Sequence, residues 1–242
     1  MSNPNQPSNQ ILIDKTPFEG LNILDDSILN NLQGRHPCSK CGKSRKYYCY
    51  SCYVPVKELD EKLPRIKLPV KIDIIKHKHE IDGKSTSAHA AIIAPDDVKL
   101  LLYRKLPKGY NKTTLRRYAS LPHDKISRLE LLKELPITRA IFIDSTWTQS
   151  KVLQNRISQF WRHQKGSPRW YLATIEAIHQ FLLELHINAW GVHPEYRVEN
   201  GDIDSAYNGQ YDNLLFFFKH MYYLIHSYYD HDNLYAYKRR LM

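Results

Sequence analysis

The chain is short of the residues that break structure: of its 242 residues only 9 are glycine and 13 proline, too few for a low-complexity or generally disordered chain. Hydrophobic residues make up 42%, which suffices for one sizeable domain, or one domain with a small appendage. No apolar run approaches the ~20 residues that a membrane span needs, so no membrane partner is expected. The opening stretch MSNPNQPSNQ lacks both the basic n-region and the apolar stretch of a signal peptide, and residues 1–17 read as a disordered tail. The expectation is a soluble, intracellular protein. Internal repeats are absent, and so is a basic low-complexity arm; a nucleic-acid site would have to be built by the fold. Acidic residues are also in deficit, 25 against 35 basic ones, for a formal net charge of +10. That balance favours a polyanion, most commonly nucleic acid, although a basic surface can serve solubility alone. The 17 tyrosines beside these cations offer rings on which unstacked bases lie.

Cysteine is confined to one place. All 4 fall in the pattern Cys38-x2-Cys41-x7-Cys49-x2-Cys52. In each Cys-x2-Cys pair a tight turn lets two thiolates face one tetrahedral cation, and two pairs complete its shell. Gly42 follows the first pair, where such a turn often needs positive φ. Two disulfides would suit a secreted chain rather than an intracellular one, and a redox Cys-x2-Cys would explain one pair only. The reading is a structural zinc site, closed because four protein ligands leave no open position. Lys40, Lys43, Arg45 and Lys46, with Tyr47, Tyr48 and Tyr50, surround it as an RNA-facing knuckle or as a solvated rim.

Periodicity orders the rest. Residues 18–34 read as an N-terminal helix, with Leu21, Leu24, Ile28 and Leu32 on one face and Gly34 as its stop. Residues 35–69 hold the zinc module and a proline-bearing linker. Within 70–242, Lys71–His77, Ala88–Pro95, Val98–Tyr103 and Ala140–Ile143 read as strands. Arg104–His123 reads as a basic loop, and Ile126–Leu135, Thr146–Phe160, Thr174–Leu185 and Tyr211–Tyr228 as helices. Strands alternating with helices predict an α/β domain: a mostly parallel sheet with flanking helices.

In such sheets ligands gather beyond the carboxyl ends of the strands. Asp144 stands there, directly after Ala140–Ile143. Ser145 and Thr146 then open a helix whose free N–H groups suit a carboxylate or phosphate. Trp147 is placed to stack on a base, or to fill the core, and Asp144 also fits a helix N-cap. Tyr171 to Glu176 is a second such place. A capping box would need a hydroxyl three residues before Glu176, and Ala173 has none, which shifts weight toward a ligand role for Glu176. The third segment is His77-Lys78-His79-Glu80 with Lys84, Ser85, Thr86 and His89. It lacks a further spaced metal ligand and reads as a polar loop that contacts cofactor or RNA.

Taken in order, these segments resemble the DTW-domain family, the eukaryotic tRNA-uridine aminocarboxypropyltransferases, and its first eukaryotic branch most closely. The resemblance is carried by Asp144-Ser145-Thr146-Trp147, Thr174-Ile175-Glu176-Ala177, the Cys-x2-Cys pairs and Lys84-Ser85-Thr86. Phe160 to Gly166 and Asn208 to Leu215 add to it, so that it spans about Arg35 to Tyr223. Two positions depart from the pattern: Ala173 stands where Ser is usual, and Arg104 where a proline loop is common. The resemblance implies a fold similar to the SPOUT class, whose C-terminal half can be knotted, although general connection rules argue against a knot. It implies transfer of the 3-amino-3-carboxypropyl group of S-adenosylmethionine to N3 of a uridine in tRNA, with release of methylthioadenosine. Asp144 is the first candidate for the base, Glu176 the second, and either can instead hold the ammonium of the cofactor. Ser145, Thr146, Trp147, Leu172, Ala173 and Thr174 would bind S-adenosylmethionine; Lys84, Ser85, Arg162, His163 and Lys165 would bind RNA. The nucleus is the implied location, with the cytoplasm as alternative. An RNA methyltransferase using the same donor, and a non-catalytic zinc RNA-binding module, are the rival readings.

Overall fold

Three strands of mostly aliphatic residues form the frame of the protein. A computed structural model describes residues 16–77, 80–102, 139–144, 172–187 and 206–228. Strand β5 (Lys71–Lys76) lies between β6 (Val98–Leu102) and β7 (Arg139–Asp144), and both pairings are parallel. The central strand is buried from Ile72 to Lys76, the pattern of a strand covered on both faces. Two carboxylates pin the amino end of the sheet. Asp73, 1% exposed, accepts from Arg139 at 2.8 Å, and Asp97 accepts from Lys71 Nζ at 2.5 Å and from the Leu68 N–H at 2.7 Å.

Four short strands precede the sheet as two antiparallel hairpins: β1 (His36–Pro37) with β2 (Ser44–Arg45), and β3 (Tyr48–Cys49) with β4 (Val54–Pro55). A 3-10 turn (Lys57–Lys62) follows, so the expected linker has structure of its own. Tyr47, Val56, Leu59 and Leu63 lie in one hydrophobic cluster with Ile72, Ile92 and Phe217. The cysteine hairpins therefore share the core of the sheet domain.

The helices are α1 (Ser27–Asn31), α2 (Ser87–Ile93), α3 (Thr174–Leu185) and α4 (Phe216–His226), the last preceded by a 3-10 turn (Asp212–Leu215). Helix α3 has the predicted bounds, and buries Ile175, Ile178 and Leu182. The predicted strand Ala88–Pro95 is instead α2. A short apolar run does not reveal its period when every side is covered, and all residues of α2 are buried, against β6, α3, α4 and the second 3-10 turn. Its alanines also favour helix.

The predicted N-terminal helix over 18–34 is reduced to α1. Neighbouring side chains take the backbone donors that a longer helix would use: the Asn22 N–H goes to Asp212 Oδ2 at 2.7 Å and the Leu24 N–H to Asn213 Oδ1 at 2.9 Å. Leu24 is 54% exposed, whereas Phe18 packs its ring against Phe218 and Tyr222. Asp212 also accepts from His179 Nε2 at 2.7 Å and from the Tyr207 hydroxyl at 2.5 Å, joining α3, the 206–211 turn and the N-terminal segment. Gly209 makes this closure fit. Its φ is +100°, and an added Cβ would lie 2.4 Å from Asn22 Cβ. Gly209→Ala is therefore expected to cost roughly 2 kcal/mol or more, from strain and overlap together, read as a lower urea midpoint with unchanged slope.

Candidate active site at the strand ends

Asp144 ends β7 opposite Lys76, which ends β5, so the two residues leave the sheet on one side at its carboxyl edge. Asp144 is 4% exposed, and both of its carboxylate oxygens are occupied. Ser85 Oγ donates to Oδ2 at 2.5 Å, and Thr174 Oγ1 donates to Oδ1 at 2.8 Å. The Ser85 hydroxyl is fixed in turn by the Ser87 hydroxyl at 2.6 Å and the Ser87 N–H at 3.2 Å. Hydrogen bonds to a charged group each contribute about 1.5–3 kcal/mol, and here they join β7, the loop before α2 and the first residue of α3.

The entry of α3 is capped from outside. Ala173 is the N-cap and has no hydroxyl, so the side-chain half of a capping box cannot form there. Thr86 supplies the missing acceptor: its Oγ1 takes the Ile175 N–H at 3.2 Å. Glu176 provides the other half, with Oε2 accepting the Ala173 N–H at 3.0 Å, and it is 1% exposed. Its carboxylate thus serves the helix entry, which accounts for its burial without a ligand.

Residues 80–86 roof the same corner. The His77 N–H bonds to the Asp144 carbonyl at 2.9 Å and the Glu80 N–H to the His77 carbonyl at 3.0 Å. Asp82 pairs with Lys76, whose side chain is only 2% exposed. Against the roof lies the second cysteine turn, with the Tyr50 ring 3.6 Å from where a Gly83 Cβ would sit.

Two equivalent turns carry the cysteines. The N–H after each pair bonds to the carbonyl of its first cysteine: Gly42 to Cys38 at 2.9 Å, Tyr53 to Cys49 at 2.7 Å. Both have positive φ, +68° at Gly42 and +55° at Tyr53. A tyrosine in this conformation is strained by about 1 kcal/mol or more. Burial, then the carboxylates of Asp82 and Asp144, push the Tyr53 phenol up to about 12, so it is a neutral donor beside the strand ends. The four sulfurs lie within 4.8 Å of one another, and Cys41 and Cys49 are 3.7 Å apart. A tetrahedron with metal–sulfur bonds of about 2.3 Å has edges of about 3.8 Å, so this donor set fits a zinc-sized cation.

A model of the DTW domain matches residues 46–226. The chain is also 33% identical to tRNA-uridine aminocarboxypropyltransferase 1 of Xenopus laevis, over 84% of this chain and 89% of that protein. Its likeness to the proteins of the same name from Mus musculus and Homo sapiens is 35% and 34%, each over 86% of this chain and 84% of the relative. The chain belongs to the DTW-domain family. No solved structure matches it.

In this DTW-family chain the matched span begins after Cys41, so the first cysteine pair stands ahead of it. Of the site residues expected from sequence, Asp144, Ser85, Thr174, Ala173 and Glu176 come together at one corner, and Leu172 is half-buried just before it. Lys84 is exposed on the roof, whereas Ser85 is buried with its hydroxyl on Asp144. Ser145, Thr146, Trp147, Arg104, Arg162, His163 and Lys165 lie outside the described residues.

Tyr47 and Tyr48 of the cysteine module pack into the domain. The Tyr48 hydroxyl bonds to His89 Nε2 at 2.7 Å, and the Tyr47 hydroxyl to His220 Nε2 at 2.9 Å. Burial pushes His89 down to about 3, so this contact joins two neutral rings.

Sequence reasoning missed Lys76 and Tyr53. Lysine at the end of an apolar strand resembles an ordinary solvated terminus, but Tyr53 had a signal, because it follows its Cys pair as Gly42 follows the other. The external cap of α3 can be tested by stability. Thr86→Val should cost about 1 kcal/mol, and Ala173→Ser in that background should regain part of it by supplying a local hydroxyl. Ser85→Ala should cost about 1–3 kcal/mol by leaving one Asp144 oxygen unsatisfied. Urea unfolding of the four proteins, with the wild type as reference, reads all of these.

Proposed function

We infer that this chain is a tRNA-uridine aminocarboxypropyltransferase. The observation that carries the reading is its likeness to relatives of that one name along most of both chains. The span matched by the DTW-domain model includes the corner where Asp144, Ser85 and Thr174 meet. The reaction is transfer of the 3-amino-3-carboxypropyl group to N3 of a uridine in tRNA, releasing methylthioadenosine. When bound, S-adenosylmethionine supplies a sulfonium with three electrophilic carbons, so the product is decided by which carbon–sulfur bond faces the nucleophile. The protein's part is to fix that alignment. Asp144 holds the hydroxyls of Ser85 and Thr174 and thereby the entry of α3, where Leu172, Ala173 and Thr174 would border the donor. Ser145, Thr146 and Trp147 follow Asp144 in sequence and complete the proposed donor site. Lys84 on the roof, with Arg162, His163 and Lys165, would contact tRNA.

One structural zinc on Cys38, Cys41, Cys49 and Cys52 belongs to the same reading; the sulfur spacing supports it. A SPOUT-like connectivity with a knotted C-terminal half is proposed on the family resemblance together with the parallel order β6-β5-β7. A nuclear location rests on the resemblance alone, with the cytoplasm as alternative.

Purified protein given tRNA and S-adenosylmethionine is expected to yield methylthioadenosine and an aminocarboxypropyl-uridine, both identified by mass spectrometry. S-adenosylhomocysteine with a methylated nucleoside would instead make it a methyltransferase. Neither product, with RNA still bound, would make it a binding module. Metal analysis should find about one zinc per chain, lost with folding stability in Cys38→Ser and Cys49→Ser. Affinity for tRNA should fall with salt by roughly 0.7–0.9 log units per log unit for each phosphate neutralised, and charge reversal at Lys84 should flatten that slope.

A further inference from the structure

Transfer to an imide nitrogen needs a base, and the two carboxylates first suited to the role are already occupied. Asp144 accepts a hydroxyl on each oxygen at 4% exposure, and Glu176 accepts the Ala173 N–H at 1% exposure. A group that takes a proton must have an oxygen within hydrogen-bond reach of it, on a side that substrate can enter. Asp82 is taken by Lys76. Among the described residues, one carboxylate at the corner remains. Glu80 is half-buried and, among the described residues, its carboxylate meets no hydrogen-bond donor and no ion-pair partner.

The backbone fixes where Glu80 stands. Its N–H bonds to the His77 carbonyl, and the His77 N–H bonds to the Asp144 carbonyl, so it lies two hydrogen bonds from the end of β7. That is the carboxyl edge of the parallel sheet, where an α/β fold receives its ligands. Resting on the reading given under Proposed function, we propose that Glu80 is the general base, taking the proton from uridine N3 while Asp144 acts as a positioning residue.

The step balances without any further reactant. The N3–H bond breaks toward a Glu80 oxygen, and the N3 electron pair forms the bond to the methylene carbon of the transferred group. The electrons of the carbon–sulfur bond pass to sulfur, which leaves as the neutral thioether of methylthioadenosine. Glu80 then releases its proton to solvent through its exposed side. Among the described residues, the charged groups whose fields reach Glu80 are Asp144 from β7, Lys76 from β5 and Lys84 from its own loop. Burial, then the charge of Asp144, raise its carboxyl above the ordinary glutamate value, against the pull of the two lysines. The direction suits a base, since a higher proton affinity strengthens the pull on N3–H. The rate should accordingly fall as pH drops through this raised value, where the carboxylate becomes protonated.

The test compares the zinc-loaded full-length wild type with Glu80→Gln and Glu80→Asp. Single-turnover formation of the modified uridine is followed across pH, with calorimetry of S-adenosylmethionine and titration of tRNA on each variant. At neutral pH Glu80→Gln should be slower by about 10²-fold or more, with both affinities and the urea midpoint unchanged. Its deficit should shrink as pH rises, because N3 then ionises without help, and Glu80→Asp should keep part of the rate. Three results would overturn the proposal. An unchanged rate would show that Glu80 takes no proton. A weaker donor affinity would make Glu80 a partner of the donor's ammonium. An equal deficit at every pH would leave it a packing role. A wild type that forms methylated nucleoside, or no product, would fail the underlying reading itself, and that is seen before any variant is compared.

Discussion

A carboxylate that leaves water must find its hydrogen bonds inside the protein, and the cost of not finding them is several kcal/mol. Asp144 is in that position at the end of a parallel strand. Its two oxygens draw a serine from the loop ahead of α2 and a threonine from the start of α3. Once those hydroxyls are placed, much else follows. Thr86, next to Ser85, is brought to the open N–H of Ile175, and α3 gains a cap that its own sequence lacks. His77 and Glu80 are carried over the same corner by the main chain. One buried carboxylate thus sets the relative positions of three segments far apart in sequence: the end of β7, the loop before α2 and the start of α3.

The cysteine module extends this arrangement rather than hanging from it. Its two turns share one backbone design, yet the first is the more open to solvent, with Lys40, Gly42 and Lys43 exposed. The second turn lies against residues 80–86 through Tyr50. Placing a tyrosine where the other turn has glycine costs backbone energy, which is offset by packing its ring against the hydrophobic core. Tyr47 and Tyr48 complete the attachment through His220 and His89. A metal held by all four sulfurs would therefore stiffen the roof as well as the turns, because Tyr50, which meets Gly83, directly follows Cys49.

Much of this was legible in the sequence, for physical reasons that differ by segment. The β5 and β7 strands and helix α3 were readable because their burial is periodic or continuous over enough residues to fix the period. The four-sulfur cluster was readable because two Cys-x2-Cys turns restrict four sulfurs to one geometry, and Asp144 because it follows an apolar strand. Helix α2 was not readable, since a seven-residue segment buried on all sides has no polar face to mark its phase. The segment over 18–34 failed for the opposite reason. Its apolar spacing suited a helix, but Asp212 and Asn213 claim its backbone donors from the far end of the chain.

The sequence by itself determined the composition of the site: a carboxylate beyond a strand, hydroxyls in Lys84-Ser85-Thr86 and Thr174, and four cysteines at ligand spacing. Those are properties of neighbouring residues, and local spacing is enough to reveal them. The tertiary structure decided which of these groups are consumed by one another. The Ser85 hydroxyl is bound to Asp144, Glu176 is part of a helix cap, and among the described residues no donor meets the Glu80 carboxylate. Such pairings depend on burial and on distances of a few ångströms between remote segments, and no one-dimensional pattern carries either.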